Sequence, residues 1–425
     1  MVEMRKPIPV NEALEKVMEF SKLGEIETVS IETCDNRRLA EPIITKHSVP
    51  PFDKSPYDGF AFNSKDTDQA STNYPVDFEV VEHIGAGQVP TKNLTSKQAT
   101  RIMTGAQIPE GADCVAMFEI CKESERENKN YVTLKRKMQP DQNVIRRGSE
   151  IEEGIELVGK GTAINPGVKA LLATFGYHHV NVIKKPVIGI FATGTELLDV
   201  HDELEPGKIR NSNAYMIMSQ IKRVGGEALY FGKLVDELET SFEAIKDNLE
   251  KVDFLITTGG VSVGDYDLMP EIYNRLNARV LFNKVAMRPG SVTTVATVGG
   301  KLLFGLSGNP SACYVGFELF ARPALQHFML NKAPFLKRSQ AVLAVDFPKP
   351  NPFTRFVRGI TFIEDGRVFV RLAGIDKSNV VTSLAFTNCL MVLPGGTRGY
   401  TKGDRVDVLW LEEIEGQETF KKNSK

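Results

Sequence analysis

The chain has 425 residues, 42% hydrophobic and 25% charged, with 52 lysines and arginines against 54 aspartates and glutamates. That is the composition of a globular protein of two to four domains, and it lacks the basic surplus of a nucleic-acid binder. The five cysteines form no CxxC pair and are odd in number, which argues against a secreted disulfide framework, and the six histidines offer no HExxH for zinc. The opening MVEMRKPIPV has no apolar signal core and no run is long enough to cross a bilayer, so the expected location is the cytoplasm, away from membranes.

Along the chain, Pro9 to Leu23 sets Val10, Leu14, Val17 and Met18 on one helical face, with Asn11 placed to cap it. Residues 26–40 read as strand and turn, and 41–48 as an extended connector. The next stretch, VPPFDKSPYDGFAF at Val49 to Phe62, is kept extended by Pro50, Pro51 and Pro56 and turns at Asp58-Gly59. It presents Ser55, Tyr57 and Asp58 on a stiff loop, and it reads either as a functional loop or as a connector.

Residues 64–139 are rich in strands and turns, with a charged hairpin at Lys122 to Asn130, and predict a small β domain. Gly85-Ala86-Gly87 lacks the third glycine and the following helix of a dinucleotide site. Within this region RIMTGAQIPEGADCVAMFE, Arg101 to Glu119, sets Thr104 and Asp113 in a turn-built loop between two apolar runs; Asp113 reads as a turn residue. Arg146 and Arg147 then stand beside Glu150, Glu152 and Glu153, as a solvated face or a phosphate clamp, and Asn165 to Phe175 predicts a capped helix.

From Lys185 the rhythm becomes strand, loop, helix, which predicts a central doubly wound α/β domain. Its strongest stretch is VDFLITTGGVSVGDYD, Val252 to Asp267, where a continuous apolar strand empties into a loop rich in glycine and hydroxyls. In open α/β sheets ligands bind at that end of the strands. Gly259, Gly260 and Gly264 allow a phosphate or oxyanion to approach the backbone, Thr257, Thr258 and Ser262 offer hydroxyls, and Asp265 and Asp267 suit a divalent cation; an ordinary turn with a solvated Asp-x-Asp is the competing reading. Thr193-Gly194-Thr195-Glu196 follows another buried strand, so one sheet edge is expected to collect Glu196, Asp236, Asp265 and Asp267. Lys284 and Arg288 both face this crevice if the strand bends at Met287. Gly308, Asn309 and Pro310 repeat the strand-then-glycine theme, and the helix that Ser311 opens offers free N–H groups as a further anion seat. Beyond Phe335, short alternating strands predict a C-terminal β barrel or sandwich; Ser383 and Asn388 there read as structural, with ligand contact the lesser reading.

Taken in order, SPYDGFAF, RIMTGAQIPEGAD, ATGTEL, TTGGVSVGDYD, KVAMRPG and GLSGNPSA resemble the molybdopterin molybdenumtransferases of molybdenum-cofactor synthesis over nearly the whole chain. The resemblance implies a multidomain α/β and β protein. Its parts would be a discontinuous helical and strand domain (1–47 plus 141–184), an inserted small β domain (48–140), an α/β molybdopterin-binding-like domain (185–333) and a C-terminal β barrel (334–425). It implies an enzyme that inserts molybdenum from molybdate into adenylylated molybdopterin and releases AMP with Mg²⁺, working as a homodimer with a shared cleft and meeting other cofactor-synthesis proteins. It assigns functional positions to Asp58, Thr104, Glu196, Asp236, Asp265, Lys284, Arg288 and Ser383, with the first two donated by the partner subunit. Thr193, Gly194, Thr258, Gly259, Gly260, Ser262, Gly264, Gly308, Asn309, Pro310 and Ser383 would hold substrate, and Asp265, Glu196 and Asp267 the metal. The sequence departs from the family pattern at Ile145 and Glu150, where arginine and aspartate are usual, at Arg288 and Ser291, where lysines are usual, and at Ser307, where proline is usual. Three other readings stand beside this one: a copy that uses tungstate, a scaffold like the related domain of gephyrin, and a nucleotide pyrophosphatase on the same α/β domain.

Overall fold

The structure, a computed structural model, describes residues 6–260 and 268–411. The chain forms two compact units, one from residues 1–41, 161–165 and 179–425 and the other from 42–160 and 166–178.

In the first unit, helix Val10–Glu19 buries Ala13 and Val17. Pro9 stands at its N-cap with no side-chain cap bond, so Asn11 lies inside the first turn and does not cap. The short strand Ile26–Ser30 pairs antiparallel with His179–Ile183. The central sheet has six strands in the order Glu227–Leu234, Val187–Thr193, Phe254–Thr258, Lys301–Leu306, Thr294–Val298 and Arg279–Phe282. The first four are parallel; Thr294–Val298 runs against them, and Arg279–Phe282 pairs antiparallel with it. The reversal is made by Gly299-Gly300, whose φ values of 57° and 76° suit a two-residue hairpin between Val298 and Lys301.

Phe254–Thr258 is buried throughout, which is why its sequence is a continuous apolar run. Ile188, Ile190 and Ile256 meet helix Asn213–Arg223 through Ile217 and Ile221 on one face. Phe191 and Leu255 meet Leu238–Leu249 and Met269–Arg275 through Ile245 and Ile272 on the other. The doubly wound reading therefore holds, with an antiparallel edge added. Burying each such side chain stabilises the sheet by about 1.5–3 kcal/mol, enough to fix the strand ends that carry the loops.

The apolar stretch after Asn309 is three consecutive pieces: an α-helix Pro310–Gly316, a π-helical turn Phe317–Ala321 and an α-helix Arg322–Phe328. Pro323 cannot donate a backbone hydrogen bond, so the regular pattern cannot run through it unbroken. The expected C-terminal barrel closes in five strands. Thr354–Glu364 pairs with Arg367–Leu372, then follow Arg338–Leu343, Arg405–Trp410 and Cys389–Leu393, which returns to Thr354–Glu364. Met287–Arg288 adds a parallel pairing to Thr354–Arg355 and brings Arg288 beside Arg355.

The second unit holds a six-stranded sheet in the order Cys114–Met117, Gly59–Phe62, Gln98–Ile102, Val76–Ile84, Lys129–Leu134 and Cys121–Arg126. Phe60, Phe62 and Phe78 fill its core, the last two stacked with centroids 4.7 Å apart. Helix Pro166–Thr174 and the paired strands Ile43–Ile44 and Glu156–Val158 complete it.

Candidate active site

The parallel strands end together on a cleft of about 740 Å³. Its floor is laced by backbone and hydroxyl groups. The Gly259 N–H donates to the Leu306 carbonyl at 2.9 Å, and the Thr193 hydroxyl to the Thr258 carbonyl at 3.2 Å. Gly259 has a φ of 92°, and a Cβ there would lie 2.6 Å from Thr193 Oγ1 and 2.7 Å from the Thr193 carbonyl oxygen. Glycine is thus required both by conformation and by the closeness of the neighbouring strand end. Asn213 Nδ2 donates to the Gly308 carbonyl at 2.8 Å, and the Asn309 N–H to Ser307 Oγ at 3.2 Å, which shapes the third loop.

Thr193, Gly194, Glu196, Asp236, Gly259, Gly260, Gly308 and Asn309 line this cleft together. Glu196 and Asp236 are its exposed carboxylates, and Leu234, Val235, Met269 and Ile272 form an apolar wall. Lys208 Nζ donates to the Thr195 carbonyl at 2.5 Å and braces the Glu196 loop. Thr257 and Thr258 depart from expectation: their hydroxyls are buried with no hydrogen-bond partner among the described residues, so they lie beneath the floor and not in the cleft. Among the described residues no three His, Cys, Asp or Glu side chains form a complete metal cage. Ser262, Gly264, Asp265 and Asp267 lie outside the described residues.

Ser307 and Asn309 are shared with a second recess of about 490 Å³, bounded by Arg288, Ser291, Arg355, Asp376, Lys377 and Asn379. Sequence reasoning found Arg288 here and missed Arg355, Asp376, Lys377 and Asn379. The loop that carries the last three is docked on the α/β part: the Ser311 N–H donates to the Ser378 carbonyl at 3.0 Å and the Ser311 hydroxyl to that of Val380. Two of the N–H groups expected to be free at this helix N-terminus are therefore not on offer, since Pro310 has none and that of Ser311 is taken. From below, the buried Arg358 holds the same loop. Its Nη2 donates to the carbonyls of Ile375 at 3.1 Å and Lys377 at 3.2 Å, and its Nε to Ser383 Oγ at 2.9 Å. Burial lowers the Arg358 pKa, with Asp376 working against it. Ser383 is 2% exposed and lines neither cavity.

Lys284 also lines neither: it is half-buried, its carbonyl accepting from the Ile8 N–H at 3.1 Å, while Met287 points into the core. The bend at Met287 therefore delivers Arg288 alone. In the second unit, Asp58 Oδ1 accepts from the Thr104 N–H at 2.7 Å and its hydroxyl at 2.8 Å, which joins two residues distant in sequence. These bonds, the backbone one foremost, hold the Asp58 carboxyl below its usual pKa. Asp113 is a turn residue, accepting from the Ser64 N–H at 2.6 Å and its hydroxyl at 2.7 Å. Arg146 is tied to Asp53 and Asp141, which occupies its fork and disfavours the phosphate-clamp reading.

Three family descriptions match in turn: MoeA N-terminal region (domain I and II) over residues 8–176, probable molybdopterin binding domain over 189–327, and MoeA C-terminal region (domain IV) over 340–411. A molybdopterin molybdenumtransferase of Bacillus subtilis (strain 168) is 57% identical over 98% of this chain and 97% of its own. One of Staphylococcus aureus (strain COL) is 47% identical over 98% and 99%. Among solved structures, the molybdopterin biosynthesis MoeA protein of Pyrococcus horikoshii covers 96% of this chain and 100% of its own, with a TM-score of 0.85 and 28% identity. No helix among the described residues is long and apolar enough to cross a membrane. The chain belongs to the molybdopterin molybdenumtransferases, transferase enzymes of molybdenum-cofactor biosynthesis.

Proposed function

We propose that this enzyme takes adenylylated molybdopterin in the cleft and molybdate in the adjoining recess, and releases AMP as molybdenum is inserted. The observation that carries the reading is the adjacency of two unlike cavities through Ser307 and Asn309. The first has glycine loops, carboxylates and an apolar wall; the second has Arg288, Arg355 and Lys377. The glycine floor lets phosphate oxygens approach the backbone, and the apolar wall packs the ring systems. Glu196 and Asp236 supply hard oxygen donors that suit Mg²⁺, which takes one or two carboxylates alongside substrate phosphates; Asp265 and Asp267 would add to them. When bound, Mg²⁺ would neutralise phosphoanhydride charge. The guanidinium forks of Arg288 and Arg355 suit a tetrahedral oxyanion. The same reading carries the family's homodimer and four-domain division, and gives Asp58, held by Thr104, a substrate-facing role.

The test is AMP release from adenylylated molybdopterin with Mg²⁺, with and without molybdate, for the native chain and Glu196→Gln. Release that needs molybdate and falls by about two orders of magnitude in the variant, a change of about 2.7 kcal/mol in the barrier, supports the reading. Release stimulated by tungstate alone moves the substrate to that oxyanion, and no release with either ion overturns it.

A further inference from the structure

One carboxylate sits among the cations of the recess. Asp376 Oδ2 accepts from Arg355 Nη1 at 2.7 Å and from Lys349 Nζ at 3.3 Å, and its Oδ1 lies 4.0 Å from Arg358 Nη2. Its side chain is 7% exposed, so water screens these charges poorly. Among the lining residues three cations, Arg288, Arg355 and Lys377, stand against this single carboxylate, which leaves a formal charge of two. Two buried guanidinium donors, Arg355 Nε and Arg358 Nη1, have no acceptor among the described residues. A buried donor without a partner is costly. The carboxylate thus holds the cations in place without saturating them.

We propose that Asp376 is the internal counter-ion of the recess, a specificity-determining residue that restrains oxyanion affinity in proportion to the charge of the anion. The proposal rests on the reading of the recess as an oxyanion seat. A fixed negative charge beside the seat opposes any incoming anion, and Coulomb's law makes the opposition twice as large for a dianion as for a monoanion at the same place. Asp376 therefore lowers the preference for doubly charged oxyanions that the bare cations would impose, and so favours release over retention. A carboxylate with a purely architectural role would act on both anions alike, because neither shape nor loop position distinguishes them.

Tungstate and perrhenate test this, being tetrahedral oxyanions of nearly the same size with charges of two and one. Their dissociation constants from the full chain are measured by equilibrium dialysis with elemental analysis of tungsten and rhenium. Asp376→Asn is expected to tighten tungstate about ten-fold and perrhenate about three-fold, a two-to-one ratio of the logarithms. Lys349→Met, which removes a cation paired to Asp376 from outside the recess lining, is expected to weaken both ions in the same two-to-one ratio. Equal changes for the two ions in either variant, or weaker binding of both in a folded Asp376→Asn, overturn the counter-ion role. If Asp376→Asn does not fold, Lys349→Met alone decides by the same ratio. Failure of the native chain to bind either ion overturns the oxyanion reading and this proposal with it, whereas native binding with equal changes overturns this proposal alone.

Discussion

The cleft and the recess are neighbours that share Val292, Ser307 and Asn309, yet they are built differently. The cleft is made largely of strand ends and the loops that follow them, so its main parts are contiguous stretches: 193–196, 234–236, 259–260 and 307–309. The recess joins to the 307–312 stretch three distant segments, 288–292, 355 and 376–379, of which the last two are ordinary in their own stretches of sequence. The cleft owes its shape above all to Gly259, where a Cβ would strike Thr193. The recess owes its charge to side chains placed by the pairing of Met287–Arg288 with Thr354–Arg355 and by Arg358 holding the 375–377 backbone. A site made by backbone conformation leaves a trace in local sequence, and a site made by tertiary pairing does not.

The comparison predicts different failures. Gly259→Ala forces a Cβ against the Thr193 carbonyl at 2.7 Å and an alanine into a φ of 92°. It is expected to cost about 1–3 kcal/mol, lower the thermal midpoint in calorimetry and abolish activity, because the cleft fails as a shape. Arg355→Met removes one cation and leaves the cleft intact. It is expected to raise the KM for molybdate about ten-fold, about 1.4 kcal/mol, with kcat little changed; the midpoint falls too, because Asp376 loses a partner. The smallest effect lies in the second unit. Thr104→Val deletes the hydroxyl bond to Asp58 and keeps the N–H bond, so the Asp58 pKa should rise part of the way to its ordinary value, read by NMR titration. The sign follows from a folded-state pKa below the unfolded one. The favourable Asp58–Thr104 interaction is fully present above the ordinary carboxylate pKa of about 3.9, and is lost as pH falls through the lower folded value.

What could be read in the chain follows the same division. The apolar run Phe254–Thr258 and the glycines after it declared a buried parallel strand and its ligand loop, and the alternation beyond Phe335 declared the barrel strands. The antiparallel edge of the central sheet was signalled only by Gly299-Gly300, a hairpin pair inside what otherwise read as an α/β rhythm. Helical periodicity could not show that Pro323 would force a π-helical turn upstream, nor that the helix N-terminus at Ser311 would be filled by the Ser378 and Val380 carbonyls from a segment more than sixty residues on. Lys284 and Arg288 looked equivalent because a strand end alternates its side chains, and only the buried Met287 decides that Arg288 is the one to enter the recess. The threonines of the loop advertised hydroxyls, but a strand buried on both faces turns them into the protein.

On the proposed reading, the oxyanion and the adenylylated pterin have separate, adjoining seats. The most direct test is anomalous diffraction at the tungsten edge from crystals of the full chain grown with tungstate and Mg²⁺. One tungsten is expected in the recess, its oxygens within hydrogen-bonding distance of the Arg288 and Arg355 guanidinium groups. Tungsten bound instead in the cleft between Glu196 and Asp236, with the recess empty, would contradict that reading.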